Sequence, residues 1–394
     1  MKIALFSPLN PVKTGISDYT EEMLFEMAKH FDIDLVIDQG YEPQNEKLRA
    51  QFKIIPYDSE SFDPSGYDEI LYQMGNNYQA HAYIYDSLKK HPGIVVLHDF
   101  VLQGFYAEKY YSDRDFDAYM RTQKKYYREK GEAIAENLIR PKEFPIWEMA
   151  EAFEYPLNEE VLESAKAVIV HSDFVKDRVK ERTQKPIRKI NLHGHEIKTF
   201  DRHQLRAKMD LGSQDILITS TGFINKNKRL GVILSALDEM DHSHVTYLIA
   251  GRDKGGLLRN YLEEKNKKVV IKGYLPLEEL EALICASDIC INLRYPTMGE
   301  SSAMLLRMMN YGKPVLVTNF GSYSEIPDYC VLKIDPDIDE KEAVKRYVGA
   351  LIDDEDFRLS LGKEAREYVQ NECSIERCAS EYASFIRSVG SITS

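Results

Sequence analysis

Apolar runs and helical spacing alternate along the chain. KIALFS, DIDLVID, KIIPY, EILYQMG, GIVVLHD, AVIVHS and IRKINLHG are short, apolar and bounded by turn residues, and most are separated by longer segments with helical periodicity. Continuous apolar runs describe strands buried on both faces, which predicts a parallel sheet covered by helices. The pattern restarts after the polar stretch HEIKTFDRHQLRAKMDLGSQD (195–215) with ILITSTGF, VTYLIAG, VVIKGY, ICINLR, PVLVTN and CVLKID. The expected fold class is therefore α/β, with two doubly wound, Rossmann-like domains facing across a cleft. The boundary falls near residues 194–204, giving domains 1–198 and 199–372, with 373–394 a C-terminal helix packing back on the first domain.

Composition narrows the partners. The 394 residues are 43% hydrophobic and 29% charged, enough for two cores, and the net charge of −13 argues against a nucleic-acid partner, which needs clustered Lys and Arg. The five cysteines lie in the second half and lack a C-x-x-C pair, so reduced core thiols in a cytoplasmic protein are expected rather than a disulfide framework. The start MKIALFSPLN reads as a first strand, and no apolar run reaches the roughly 18 residues that a membrane span requires.

In open α/β sheets ligands gather at the carboxyl ends of the strands, so chemistry is sought at the strand-to-helix corners. In LRYPTMGESSAMLLRMMNYGKPVLV (293–317), Ser301 and Ser302 open a helix that Gly312 and Pro314 close, and its mouth is an anion site. An ordinary capped helix is the alternative. In ITSTGFINKNKRLGVILSAL (218–237), Gly222 opens a turn, Asn227 precedes a helix, and Lys226, Lys228 and Arg229 crowd its start. Cations there oppose the helix dipole by about 0.3–1 kcal/mol each, which a bound polyanion would offset. At the N-terminus, Gly15 lies in a loop before a helix begun by Ser17, where backbone could approach a diphosphate closely. GIVVLHDFVL (93–102) sets His98 and Asp99 at a strand end, either as site residues or as a buried pair, and His171 with Ser172 ends the next strand.

Together these corners resemble the GT-B glycosyltransferases, specifically the large retaining family 4 (glycosyl transferases group 1), over nearly the whole chain. The 293–317 segment is similar to that family's acid–helix–Gly-Lys-Pro-Val signature, and 222–229 to its glycine–lysine loop with Lys228 in the lysine's place. Gly15 matches the N-terminal glycine loop and His98 the histidine near the donor sugar. Gly251, Gly273 and Tyr274 fall where the family contacts the nucleotide. The segment with GSYSEIPD (321–328) resembles a branch that builds polysaccharides. The resemblance implies a hexosyltransferase that moves a sugar from a nucleotide sugar, UDP- or GDP-linked, to a saccharide or lipid-linked acceptor with retention of configuration. It also implies no metal and no other cofactor. Lys228 and the Ser301–Ser302 mouth would stabilise the departing diphosphate, Asn227 and Arg229 would assist, and Glu300 would hold hydroxyls of the transferred sugar. Two positions depart from the family: Phe223 replaces the arginine after the loop glycine, and Arg307 stands where an acid usually grips the ribose. Arginine is a donor only, so Arg307 would reach a phosphate or an internal acid instead.

Acceptor contacts are expected from the first domain, at Asp99 and at Asn76, Asn77 and His81 in YQMGNNYQAHAYIYDSL. The basic, aromatic stretch 116–142 reads either as a solvated helix or as a peripheral contact with the inner face of the membrane. HGHE (193–196) and DRD (113–115) are poor metal motifs, the first at the expected hinge and the second a helix cap. The alternatives to a transferase are a catalytically impaired nucleotide-sugar-binding module or a GT-B sugar-nucleotide epimerase. A nicotinamide-dependent dehydrogenase is disfavoured because no G-x-G-x-x-G follows a strand.

Overall fold

A computed structural model describes residues 1–222, 224–240, 244–253, 256 and 269–390. The chain divides into two compact units, one of Met1–His193 with Pro296–Ser301 and Ile375–Ser394, the other of Gly194–Tyr295 with Ser302–Ser374.

The first unit holds seven strands: β1 (Lys2–Phe6), β2 (Asp32–Ile37), β3 (Lys53–Pro56), β4 (Glu69–Met74), β5 (Ile94–Leu97), β6 (Ala167–Val170) and β7 (Ile187–Lys189). The second holds β8 (Ile216–Thr221), β9 (Val245–Ala250), β10 (Val269–Lys272), β11 (Ile289–Asn292), β12 (Val315–Thr318) and β13 (Leu332–Ile334). Every described pairing is parallel, in the orders β3-β2-β1-β4-β5-β6-β7 and β10-β9-β8-β11-β12-β13. This is the two-domain, doubly wound arrangement of the GT-B fold. The apolar runs explain it: β4, β5, β6, β8, β11 and β12 are buried along their whole length, whereas the edge strands β3, β7 and β10 are partly exposed. Successive residues of β8 serve opposite faces. Ile216 and Ile218 pack with Ile233, Leu234, Val344 and Val348, while Leu217 packs with Leu248, Leu283 and Ala286.

Each order reverses once, between β1 and β4 and between β8 and β11. At such a switch point the neighbouring loops leave in opposite directions and open a crevice at the strand tips. Among the described residues no helix is long and apolar enough to cross a membrane. The helix Phe116–Ile139 breaks at Arg128, whose φ is 53°, and Gly131 fits only because it lacks a Cβ, which would sit 2.1 Å from Gln123 O. Its aromatic middle is used within the first unit: Tyr119 is fully buried, and Tyr127 Oη donates to Glu159 at 2.8 Å. Asp115 of the DRD triplet caps this helix by accepting from Ala118 N at 2.9 Å.

The last helix of the second unit, Glu355–Glu372, crosses the turn after Ala303–Asn310 with no space to spare, since a Cβ on Gly362 would lie 2.1 Å from Gly312 O. Overpacking of this kind costs about 1–3 kcal/mol. Gly362→Ala is therefore expected to lower the urea midpoint of the second unit's unfolding, and an unchanged midpoint would show that the two segments do not meet this closely.

Candidate functional site

In the second unit the switch point is built from the tips of β8 and β11. Thr221 ends β8, and Gly222 turns the chain with φ +104°, a conformation that side chains disfavour. Gly251, at the end of β9, crosses under this turn so closely that a Cβ would be 1.8 Å from Gly222 O. The segment then winds through the short turn Lys226–Lys228, passes Arg229 in the left-handed region (φ 54°), and enters the helix Leu230–Asp238. This path points Lys228 inward, although lysine is rarely buried. It is 8% exposed, and its ammonium lies 3.2 Å from Thr221 O and 3.4 Å from Asn292 Oδ1. Gly222 leaves it room, because a Cβ there would stand 3.3 Å from Nζ.

Asn292 closes β11 and faces the next element. Its Nδ2 donates to Ser302 Oγ at 3.5 Å, and that oxygen accepts from Leu305 N at 3.2 Å as the N-cap of Ala303–Asn310. The helix forms because Ser302 satisfies one of its open N–H groups, Leu305, Met308 and Met309 bury its face, and Gly312 (φ +69°) ends it. A buried lysine, a capped helix mouth and the hydroxyl of Thr221 therefore meet at one strand tip. The Thr221 Oγ1 is buried with no hydrogen-bond partner among the described residues. Ammonium, N–H dipoles and hydroxyls in this arrangement suit an anion.

Several expected donor contacts have other roles in the structure. Arg229 Nε donates to Glu340 Oε2 at 2.9 Å and its NH2 to Asp337 Oδ1 at 2.9 Å, so the two carboxylates already neutralise it. Arg307 is buried and bonded to Glu281, which is buried as well. It answers an internal acid, one of the two partners the sequence left open for it. Breaking such a pair leaves an uncompensated charge in the interior, which holds both groups in place. Ser301 does not share the helix mouth with Ser302: it belongs to the first unit, where its hydroxyl lies 3.5 Å from His171 O. Asn227 contributes its carbonyl, which accepts from Tyr295 N at 2.8 Å. Gly273 is open around its Cα, and Tyr274 is exposed. Phe223 lies outside the described residues.

In the first unit, His98 extends the sheet beyond β5, with its N–H bonded to Met74 O at 2.9 Å. Its Nε2 lies 2.6 Å from Gln73 Oε1, and its ring packs against Tyr19 (5.1 Å) and His171 (4.9 Å). His171 Nδ1 donates to Ile190 O at 3.0 Å, which leaves Nε2 as a buried acceptor without a partner among the described residues. Burial holds His171 down to about 4, and burial together with its neighbour His171 holds His98 well below the usual range. Both rings are neutral at pH 7, fit to exchange hydrogen bonds with hydroxyls but not to carry charge.

Glu300 lies in the loop 296–301 of the same unit, where its Oε2 accepts from Met298 N at 2.6 Å. The loop is fastened to the segment after His98 by Val101 N donating to Met298 O at 2.9 Å, and Gly299 (φ +84°) lets it lie against Phe100.

The residues expected to meet the acceptor have partners within the first unit. Asp99 Oδ2 accepts from Asn76 N at 2.7 Å, Asn76 Oδ1 from Phe105 N at 2.7 Å, and Asn77 Oδ1 from Ala80 N at 3.1 Å as a helix cap. His81 is 1% exposed, with Nδ1 on Asn77 O at 2.8 Å. Free backbone N–H groups at two helix starts attract the Asn76 and Asn77 side chains, which shape the corner. Gly15 is the first residue of Gly15–Met27, capped by Thr14, and is open to approach. His193 and His195 fall in different units. His193 Nε2 lies 3.2 Å from Tyr19 O, and burial, then Arg307, holds His195 well below the usual range.

Asn292, Thr221 and Gln73 were not anticipated. All three are buried polar residues at or next to the carboxyl end of a fully buried strand, and that position is the signal that could have found them.

Comparison with known proteins agrees with this geometry. Residues 215–354 match the family model "Glycosyl transferases group 1". A search of curated protein sequences finds no match. Among solved structures, the chain is similar to a sucrose-phosphate synthase from Thermosynechococcus elongatus (16% identity, 100% of both chains, TM-score 0.70). It is similar to Anabaena HepE in complex with UDP (15% identity, 98% of this chain and 100% of that one, TM-score 0.65). It is also similar to WaaG, a glycosyltransferase involved in lipopolysaccharide biosynthesis (17% identity, 98% and 99%, TM-score 0.59). At these identities the likeness is one of fold. The family match at 215–354 is what supports a glycosyltransferase enzyme.

The buried histidines make a pH prediction. His81 and His171 titrate at about 4 when folded, against an ordinary 6.5, so the unfolded chain binds more protons between those values. Their contribution to stability is present above pH 6.5 and is lost as pH falls towards 4. The melting temperature is expected to fall between about pH 7.5 and 5.5, and less steeply in His81→Gln. An equal slope in the variant would contradict the burial of a neutral ring at this position.

Proposed function

We propose that the protein is a retaining hexosyltransferase that moves a sugar from a UDP- or GDP-sugar to a hydroxyl of a saccharide or lipid-linked acceptor, in the building of a polysaccharide or glycoconjugate. One observation carries the reading. Lys228 turns its charge into a strand-tip corner beside a capped helix mouth, within the segment that matches the glycosyltransferase family model. The UDP and UDP-glucose complexes of the Anabaena neighbour favour a nucleoside diphosphate as the leaving group.

As the bond between the sugar's anomeric carbon and the phosphate oxygen breaks, negative charge grows on the diphosphate. An ammonium and N–H dipoles fixed beforehand stabilise that charge more in the transition state than in the ground state. Lys228 and the mouth of Ala303–Asn310 take this role, with Thr221 Oγ1 as a hydroxyl partner. Arg229 and Arg307 have no part in it, being bound to acids. Gly15 leaves backbone accessible to the phosphates, Gly251 lets the Gly222 turn pack over it, and Gly273 with Tyr274 serves the nucleotide. The acceptor oxygen forms the new bond on the face the diphosphate leaves, and its proton passes to a phosphate oxygen, so retention needs no pair of catalytic carboxylates. Glu300 accepts from hydroxyls of the transferred sugar, and the neutral His98 bonds a further hydroxyl. No metal or further cofactor takes part in this scheme.

A thermal-shift panel of UDP-, GDP-, ADP- and dTDP-sugars identifies the donor, and turnover or slow hydrolysis of that donor is then compared in Lys228→Ala. A charge-assisted contact is worth roughly 1.5–3 kcal/mol, so the rate is expected to fall at least about tenfold. Unchanged turnover would remove Lys228 from the reaction. A protein that binds the donor yet neither transfers nor hydrolyses the sugar would be a binding module.

A further inference from the structure

The proposed reaction leaves His171 without a role. It follows AVIV at the carboxyl end of β6, where Ser172 caps the next helix by accepting from Val175 N at 3.2 Å. β6 lies beside β5, and the histidines that follow these two strands, His171 and His98, hold their rings 4.9 Å apart. Tyr19 packs against both, at 5.1 Å from His98 and 5.5 Å from His171. The tautomer of His171 is fixed by its surroundings. Ile190 O can only accept, so Nδ1, 3.0 Å away, carries the proton and Nε2 carries a lone pair. That lone pair is buried and has no donor among the described residues. An acceptor left so is destabilising, and its retention calls for a reason beyond packing. The loop 296–301 of the same unit supplies one. Ser301 Oγ lies 3.5 Å from His171 O, and a Cβ on Gly299 would stand 2.6 Å from Phe100 Cβ and 3.3 Å from Val175 Cγ2. The loop that carries Glu300 therefore runs over the segments that follow both histidines. His81 holds a like nitrogen, but its ring is 1% exposed and sits against Gly75.

We infer that His171 is a further sugar-binding residue, whose Nε2 accepts a hydrogen bond from a hydroxyl of the transferred sugar beside His98 and Glu300. The inference rests on the proposed reading of the site. Its chemistry is specific, because a lone pair on a neutral ring takes an O–H and offers no donor to a phosphate oxygen. The ring stays neutral in use, since burial holds it down to about 4. His171 therefore distinguishes a nucleotide sugar from its bare diphosphate, whereas Lys228 serves both.

The test is calorimetric titration of the full-length protein, near neutral pH, with the sugar nucleotide selected by the thermal-shift panel and with the matching nucleoside diphosphate. His171→Asn keeps a donor for Ile190 O, because its amide nitrogen takes the place of Nδ1, and it removes the far side of the ring. The dissociation constant for the sugar nucleotide is expected to rise at least about fivefold, while that for the diphosphate changes by less than about twofold. His171→Gln, whose amide oxygen can stand where Nε2 stands, should bind the sugar nucleotide within about twofold of the unmodified protein. His171→Phe keeps the ring's outline without either nitrogen. It should repeat the asparagine result, and it decides the matter if the asparagine variant does not fold. Unchanged affinity for the sugar nucleotide in the folded asparagine or phenylalanine variant would overturn the role of His171 alone, and so would an equal loss for sugar nucleotide and diphosphate. If the unmodified protein binds no sugar nucleotide of the panel and none of the diphosphates, the proposed donor class falls as well.

Discussion

A lysine held under a sheet tip is the constraint on which the second unit's chemistry depends. Moving an ammonium out of water costs several kcal/mol even after relaxation, and a protein meets that cost with acids, with neutral dipoles or with a ligand. Thr221 O and Asn292 Oδ1 are among the groups that stand around the Lys228 ammonium. The backbone makes the arrangement possible. Gly222 and Gly251 let two turns cross where a Cβ would collide, and the same absence of a side chain at Gly222 opens the space that Nζ enters. The switch between β8 and β11 places this ammonium beside the helix opened by Ser302.

The first unit has a different character. Its strand tips gather aromatic groups: His98, His171 and His193 around Tyr19, whose hydroxyl meets that of Tyr382 at 2.8 Å. Burial first, and then Tyr382, raises the Tyr19 phenol well above its usual range, as burial depresses the imidazoles of His98 and His171. The helix Ile375–Gly390, which carries Tyr382, is part of this unit although it follows the second sheet in sequence. A neutral, hydrogen-bonding surface suits hydroxylated ligands, whereas the second unit's corner suits charged ones. The two halves repeat an architecture while offering opposite chemistries.

Much of this could be read from the residues in order. The parallel sheets were legible because strands such as IVVL and AVIV are apolar throughout, and a chain that buries both faces of a strand has few other folds available. The mouth of Ala303–Asn310 was legible from a serine before the apolar stretch and a glycine after it. Side-chain partners were not. Arg229 meets Glu340 from 111 positions away, and Arg307 meets Glu281 across a strand, so sequence showed two cations but not that acids already held them. Ser301 and Ser302 read as a pair, yet the chain passes from one unit to the other between them. Asn292 drew no reading of its own inside the run ICINLR. Its meaning came only from the lysine folded back onto it.

The central claim is that Lys228 and the Ser302 helix mouth form a diphosphate site, and the most direct measurement is a crystal structure of the protein grown with a nucleoside diphosphate. The account predicts a phosphate oxygen within about 3 Å of Lys228 Nζ, with the diphosphate lying over the amino end of Ala303–Asn310. A nucleotide bound with its phosphates away from that lysine, or with Lys228 still closed onto Thr221 and Asn292 and making no contact with it, would contradict the account.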